Sequence, residues 1–285
     1  FVLDTNSRIS LSNNDLGTSN TVFGKSIGTI DAGTDYNVFI GEGVASENTL
    51  DNAVKNTIIG YRAGYSLITG DFNTIIGRES GLELESGHNN TFIGMNSGGT
   101  TVLGGYLVAI GNSAMFGGAV TAAADGTVAI GASALSVLTT GTGNVAVGYQ
   151  ALLTEDAGSS STALGYQALK VQNNDTGYNT AVGWTAGDAV TDGSANTLIG
   201  AESGTTGTND LATGIQNTLV GQATSVSRTD ATNQIVIGRG AAGQANNSVT
   251  LGNASVTAVY MASDSGATVH CAAVTEGSAL RIKKN

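Results

Sequence analysis

One four-residue word is written fourteen times along this chain: a β-branched residue, one more residue, a large aliphatic or Phe, then Gly. The first copy is Thr21-Val22-Phe23-Gly24 and the last is Val249-Thr250-Leu251-Gly252. The closing glycines, from Gly24 through Gly77, Gly131 and Gly183 to Gly252, are spaced 14 to 21 residues apart, most often 17. A strand this short cannot bury its own apolar face. Stacked copies bury a continuous one, so a fixed period of strand words marks a solenoid. The expected fold class is all-β: a parallel β-solenoid, or β-roll, of about fourteen coils of 14–21 residues. The solenoid is expected over residues 17–256, with a lead-in at 1–16 and a lead-out at 257–285.

The word has two faces. Three residues before each closing, or anchor, glycine stands Thr, Val or Ile, and one residue before it stands Ile, Val, Leu or Phe. These two share a face, because strand side chains alternate with period two. The residue between them points the other way and is also mostly apolar: Phe39, Ile58, Ile75, Phe92, then Ala109, Ala129, Ala146, Ala163 and Ala181, then Leu198 and Leu219. A strand apolar on both faces is buried on both. One face fills the lumen of the coil and the other needs a partner, for which self-association is the simplest supplier. The sequence leaves open which face is which. The alanine block suggests close backbone approach in the middle coils. Ile110, beside the anchor Gly111, is expected on a buried face.

Other phases repeat as well. Three residues after the anchor the side chain is small in eleven copies, as in Ala63, Ser80, Ser97 and Ala114. Four residues before it, nine copies carry Asn, among them Asn37, Asn56, Asn73 and Asn90. Asn suits left-handed turns, and its amide can bond the equivalent amide one coil away. Insertions of two to four residues beyond the common 17 occur only between Gly41 and Gly60, Gly111 and Gly131, and Gly200 and Gly221. Loops this short make a smooth rod.

Composition narrows the function. Among 285 residues there are 42 Gly and no Pro, and the glycines keep phase, which argues for turns rather than disorder. Charged residues make up 12 % and the net charge is −11, a balance that repels phosphate backbones and argues against nucleic acid as a partner. No apolar run approaches the ~18 residues of a membrane helix, so membrane insertion is not expected. The lone Cys271 cannot form an intrachain disulfide. The chain opens on Phe1 rather than Met, as a fragment or processed form would.

The word Asn-Thr-Ala-Val-Gly followed by a small residue, as in Asn179 to Ala186, resembles the repeat of YadA-type adhesin heads. That resemblance implies a left-handed β-roll wound as a homotrimer. Gly148-Tyr149-Gln150-Ala151-Leu152 and Gly165-Tyr166-Gln167-Ala168-Leu169 resemble coils of phage tail fibres. The resemblance covers about residues 20–256. No coiled-coil heptads or membrane anchor accompany it, which favours the fibre. It implies a structural fibre protein of a bacteriophage tail, located in the virion, with other tail proteins and a host surface glycan or protein as partners. The alternatives are the head of a bacterial trimeric surface adhesin and a polysaccharide-degrading tailspike. The segment Ser278 to Asn285 resembles the opening of an endosialidase-type intramolecular chaperone, which implies autocleavage just before Ser278. Ala279 stands where that family usually has Asp.

Candidate chemistry is sparse. Tyr149, Tyr166 and Trp184 hold one phase in three consecutive coils and should stack about 4.8 Å apart. Packing is the reading favoured here, since stacked aromatics bury area and fix register. A glycan-contact ladder is the sharper alternative. Gly238-Arg239-Gly240-Ala241-Ala242-Gly243 fits a nucleotide-loop pattern but precedes another coil, not the helix that would hold a phosphate. Asp31, Asp35, Asp71, Asp175, Asp188 and Asp192 fall in turns and are expected to be solvated, with Asp188 tolerant of substitution. The calcium-roll nonapeptide is absent. His88 and His270 are remote from each other, His270 adjoins Cys271, and Glu83 and Glu85 share one short loop. No catalytic residue, cofactor or metal is expected, and the chain is taken as non-enzymatic.

Overall fold

The computed structural model describes residues 17–259 apart from Thr208; the expected lead-in at 1–16, and His270, Cys271 and Ser278, lie outside the described residues. All the repeats belong to one compact unit that ends at Asn253. Fourteen short strands stack in sequence order into one parallel sheet, from Thr21–Phe23, Val38–Ile40 and Thr57–Ile59 through Val145–Val147 to Gln234–Ile237 and Ser248–Leu251. They wind about 13 coils of an all-β parallel solenoid. Each word pairs residue for residue with the next: Thr74 with Thr91, Ile75 with Phe92, Ile76 with Ile93. A second, two-stranded parallel sheet joins Thr29–Ile30 to Thr49–Leu50. The coil from Gly111 to Gly131 carries a short 3-10 turn at Ala122–Ala124.

The anchor is glycine because backbones meet there. A Cβ built on Gly77 would lie 2.4 Å from the carbonyl oxygen of Gly94 and 2.7 Å from its carbon, and φ is +141°. The same collision recurs at Gly60 against Gly77, Gly148 against Gly165 and Gly183 against Gly200. No other residue allows both that torsion and that approach.

The middle residue of each word points into the lumen. Phe39, Ile58, Ile75, Phe92, Ala109, Ala146, Leu198 and Leu219 are fully buried. The two flanking residues face outward and are only partly covered. Ile110 therefore belongs to the outer face, and its inward neighbour is Ala109. The alanine block does not mark close backbones: it is matched across the lumen. Where the middle residue is Ile58, Ile75, Phe92 or Leu198, the residue four after the anchor is Gly, while Phe39 has Ala45 there, Leu219 has Ser225, and Ala181 keeps Gly187. A Cβ on Gly64 would lie 3.0 Å from Ile58, and one on Gly98 would lie 2.7 Å from the Phe92 ring. Where the middle residue is Ala109, Ala129, Ala146 or Ala163, that position carries Met115, Leu135, Leu152 or Leu169, all fully buried. Lumen volume is conserved by exchanging side chains between two walls, as close packing requires.

The asparagine column forms a buried ladder. Asn73 N–H donates to Asn56 Oδ1 (2.9 Å), Asn90 N–H donates to Asn73 Oδ1 (3.0 Å), and Asn73 Nδ2 donates to the Gly87 carbonyl (2.8 Å). The ladder runs from Asn20 to Leu107 and again from Asn179 to Gln234. The left-handed turn falls one residue earlier, at Tyr36, Lys55, Phe72 and Asn89, with φ near +60°. A non-glycine residue in that region costs about 1–2 kcal/mol, and the hydrogen bonds of the adjoining Asn offset it.

Gly77→Ala should lower the unfolding midpoint strongly, because two coils must part to admit the methyl group. Gly143 has φ +64° with nothing within 4 Å of a built Cβ, so Gly143→Ala should lose only the torsional cost of about 1–2 kcal/mol. Urea unfolding of both variants checks this, and equal shifts would contradict the role assigned to the anchor.

Candidate functional site

The outward face of the main sheet runs without interruption through all fourteen strands. Its two columns, Thr21 to Val249 and Phe23 to Leu251, contain no charged residue. Their members are partly exposed, and Phe23, Leu164, Ile199, Ile237 and Leu251 more so. The column from Phe23 to Leu251 is apolar at every position, and monomeric proteins seldom leave so long an apolar strip uncovered.

The residue after the anchor forms a second column beside it. Tyr149 and Tyr166 stack with centroids 5.3 Å apart and planes 18° apart, and Tyr166 and Trp184 with 6.4 Å and 16°. The structure thus brings together all three residues expected to form a ladder. They are 44 %, 44 % and 53 % exposed. Both faces of Tyr166 are covered by its neighbours, so the interior of the stack presents ring edges and hydroxyls rather than faces. Beside it, Gln167 Nε2 donates to Gln150 Oε1 at 2.8 Å.

The remaining sequence candidates are dispersed. Gly238 is an ordinary anchor, and the chain after it passes through turns to strand Ser248–Leu251. His88 meets Tyr106 edge-on at 5.4 Å. Glu83 and Glu85 are exposed on either side of buried Leu84. Among the described residues no group of three His, Cys, Asp or Glu is placed to hold a metal, and no helix is long and apolar enough to cross a membrane.

Several turn aspartates do more than meet solvent. Asp35 accepts the N–H of Thr18, Asp71 that of Val54 and Asp125 that of Gly105, each clipping a turn to the coil before it. All three stand six residues before an anchor, a phase the sequence displays. Asp188 is not freely solvated: burial, then the charge of Asp210, push its carboxyl above the usual range.

Sequence reasoning missed Glu155, which is fully buried in the lumen. It occupies the phase of Leu67, Leu84 and Leu138, ten residues before the next anchor. Its hydrogen bonds follow from the polarity of the asparagine ladder. Asn196 donates twice to Asn179 Oδ1, so Asn179 Nδ2 turns to Gln172 Oε1 at 2.9 Å. Gln172 Nε2 then faces Glu155 Oε2 at 2.6 Å and Ser161 Oγ at 3.0 Å, while Gly158 N–H donates to Glu155 Oε1 at 2.6 Å. Ser161 replaces the column's usual Asn, and the smaller side chain leaves room for the Glu and Gln. Burial pushes the Glu155 carboxyl up, against the downward pull of Gln172 and the Gly158 N–H.

No protein-family model matches the chain, and no curated protein matches it either.

The raised carboxyl has a signed consequence. The folded state holds the Glu155 proton more tightly than the unfolded chain does. The linked stability is complete below the unfolded value near 4.5 and is lost as pH rises through the folded one. Glu155→Leu with Gln172→Leu and Ser161→Asn rebuilds the ordinary coil. The stability of wild type relative to this variant should fall as pH is raised from about 4.5 into the neutral range. Urea titrations across that range check it, and a difference that rises with pH would contradict it.

Proposed function

We propose that this chain is a structural fibre protein of a bacteriophage tail, a stiff homotrimeric rod that extends toward the host cell and contacts its surface. The observation that carries the reading is the uncharged outward strip running the length of the parallel solenoid. Copies in register would cover it along its whole length, each supplying the same apolar columns to its neighbours. Backbone hydrogen bonds between coils run along the rod axis, so stiffness arises with little charge. Thirteen steps of about 4.8 Å make the repeat region about 60 Å long. The resemblance of the coil words to phage fibres and YadA-type heads supplies the trimer and the virion setting, with other tail proteins as partners. In this reading the chain contributes shape and contact, not catalysis.

Two neighbouring residues test the assembly. Ala109→Asp places a carboxylate in the lumen, where an unpaired charge costs several kcal/mol, and the coil should open. Ile110→Asp points outward, so each chain should keep its strand signal in circular dichroism while self-association fails. Light scattering on wild type should give three times the 28.4 kDa of one chain. A wild-type monomer, or an Ile110→Asp variant that assembles like wild type, would sink the proposal.

A further inference from the structure

The aromatic stack ends abruptly, and its upper end is open. Backbone hydrogen bonds fix the order of this column. Glu202 N–H donates to the Trp184 carbonyl, Ala223 N–H to that of Ala201, and Gly240 N–H to that of Gln222. Trp184, Ala201, Gln222 and Arg239 are therefore successive rungs. The indole lies 16° from the plane of Tyr166, which covers one of its faces. Its other face looks along the axis toward the Ala201 rung, where the side chain is a single methyl group. Two rungs on, Gln222 Oε1 accepts a hydrogen bond from Arg239 Nε at 3.2 Å. That bond turns the carbonyl end of the amide toward Arg239 and leaves its N–H groups for another partner.

The result is a slot. Its walls, Trp184 and Gln222, are two strand steps apart, about 9–10 Å. Contacts of about 3.5–4 Å on each side account for about 7–8 Å of that gap, and the thickness of one puckered saturated ring takes up the rest. Ala201 is the floor. A puckered aliphatic ring with C–H groups on its faces and hydroxyls around its rim suits these walls. The C–H face, partly positive, meets the negative face of the indole, and the rim meets the Gln222 amide and the Glu202 carboxylate next along the chain. That ligand chemistry is a pyranose.

We propose that the slot between Trp184 and Gln222, floored by Ala201, binds one pyranose ring of a surface glycan. The host-contact reading gives this site its purpose. The contact is then one sugar at the end of the stack, not a stripe along its flank.

Trp184 is the chain's one tryptophan, so its fluorescence reports this site alone. The assembled protein is titrated with methyl β-galactopyranoside, methyl β-glucopyranoside and N-acetylglucosamine, with glycerol as the acyclic control. At least one pyranose should give a saturable change that glycerol does not. Ala201→Phe fills the slot with a fourth ring and should weaken binding at least about tenfold. Ala132→Phe extends the same stack at its other end and should leave binding unchanged, which separates a blocked slot from a disturbed stack. No saturable change with any of the three sugars up to about 100 mM, or equal binding in Ala201→Phe and wild type, would overturn the site. A trimer by light scattering that binds no sugar removes the site and leaves the fibre reading in place; a sugar-binding monomer does the reverse.

Discussion

Successive coils meet backbone to backbone at the anchor glycines, where the carbonyl of one coil occupies the space that a Cβ of its neighbour would need. That contact holds the coils one strand step apart, and the other columns inherit their spacing from it. The Asn side chains can bridge one coil to the next only because equivalent residues are a single step apart. The same step stacks Tyr149 on Tyr166 and sets the height of the slot above Trp184. A solenoid built this way is stabilised by nearest neighbours. A local exception such as Glu155 with Gln172 and Ser161 can therefore be absorbed within two coils without disturbing the rest.

The period and the parallel class were legible in the sequence because they rest on phase, which a repeat displays many times over. Assigning the faces required three-dimensional information. Thr74 and Ile76 are as β-branched as the residues of any core, and only the path of the turn shows that Ile75 is the one pointing inward. The alanines misled for a similar reason. Ala146 looks like a close approach until Leu152, six residues away, is seen to fill the space it leaves. The compensating signal was present, since large middle residues pair with Gly64, Gly81 and Gly98 while the alanines pair with Met115, Leu135 and Leu152.

The candidate sites divide along the same line. The Tyr149–Tyr166–Trp184 stack follows from phase alone, and the structure forms it. Whether its ring faces are available depends on the neighbours, and the alanines at 132 and 201 decide where the stack stops. Glu155 was overlooked because a lone acid in a coil resembles a surface residue. Its signal was a Glu in a leucine column with Gln172 one coil later and Ser161 in place of Asn. Asp35 and Asp71 share with Asp125 the phase six residues before the anchor, and that shared phase, rather than any single turn, carries the signal that they bond the preceding coil.

Native-state hydrogen exchange, followed coil by coil, tests the stacking most directly. Amides such as Thr74, Gly77 and Glu79 each donate to a neighbouring coil. The words from Val38–Ile40 to Thr218–Val220 should therefore show strong protection of similar degree, and the amides of Thr205 and Gly207, which bond within their own loop, should exchange early. Word amides in any run of interior coils that exchange as fast as those two would contradict a continuous backbone stack and the account built on it.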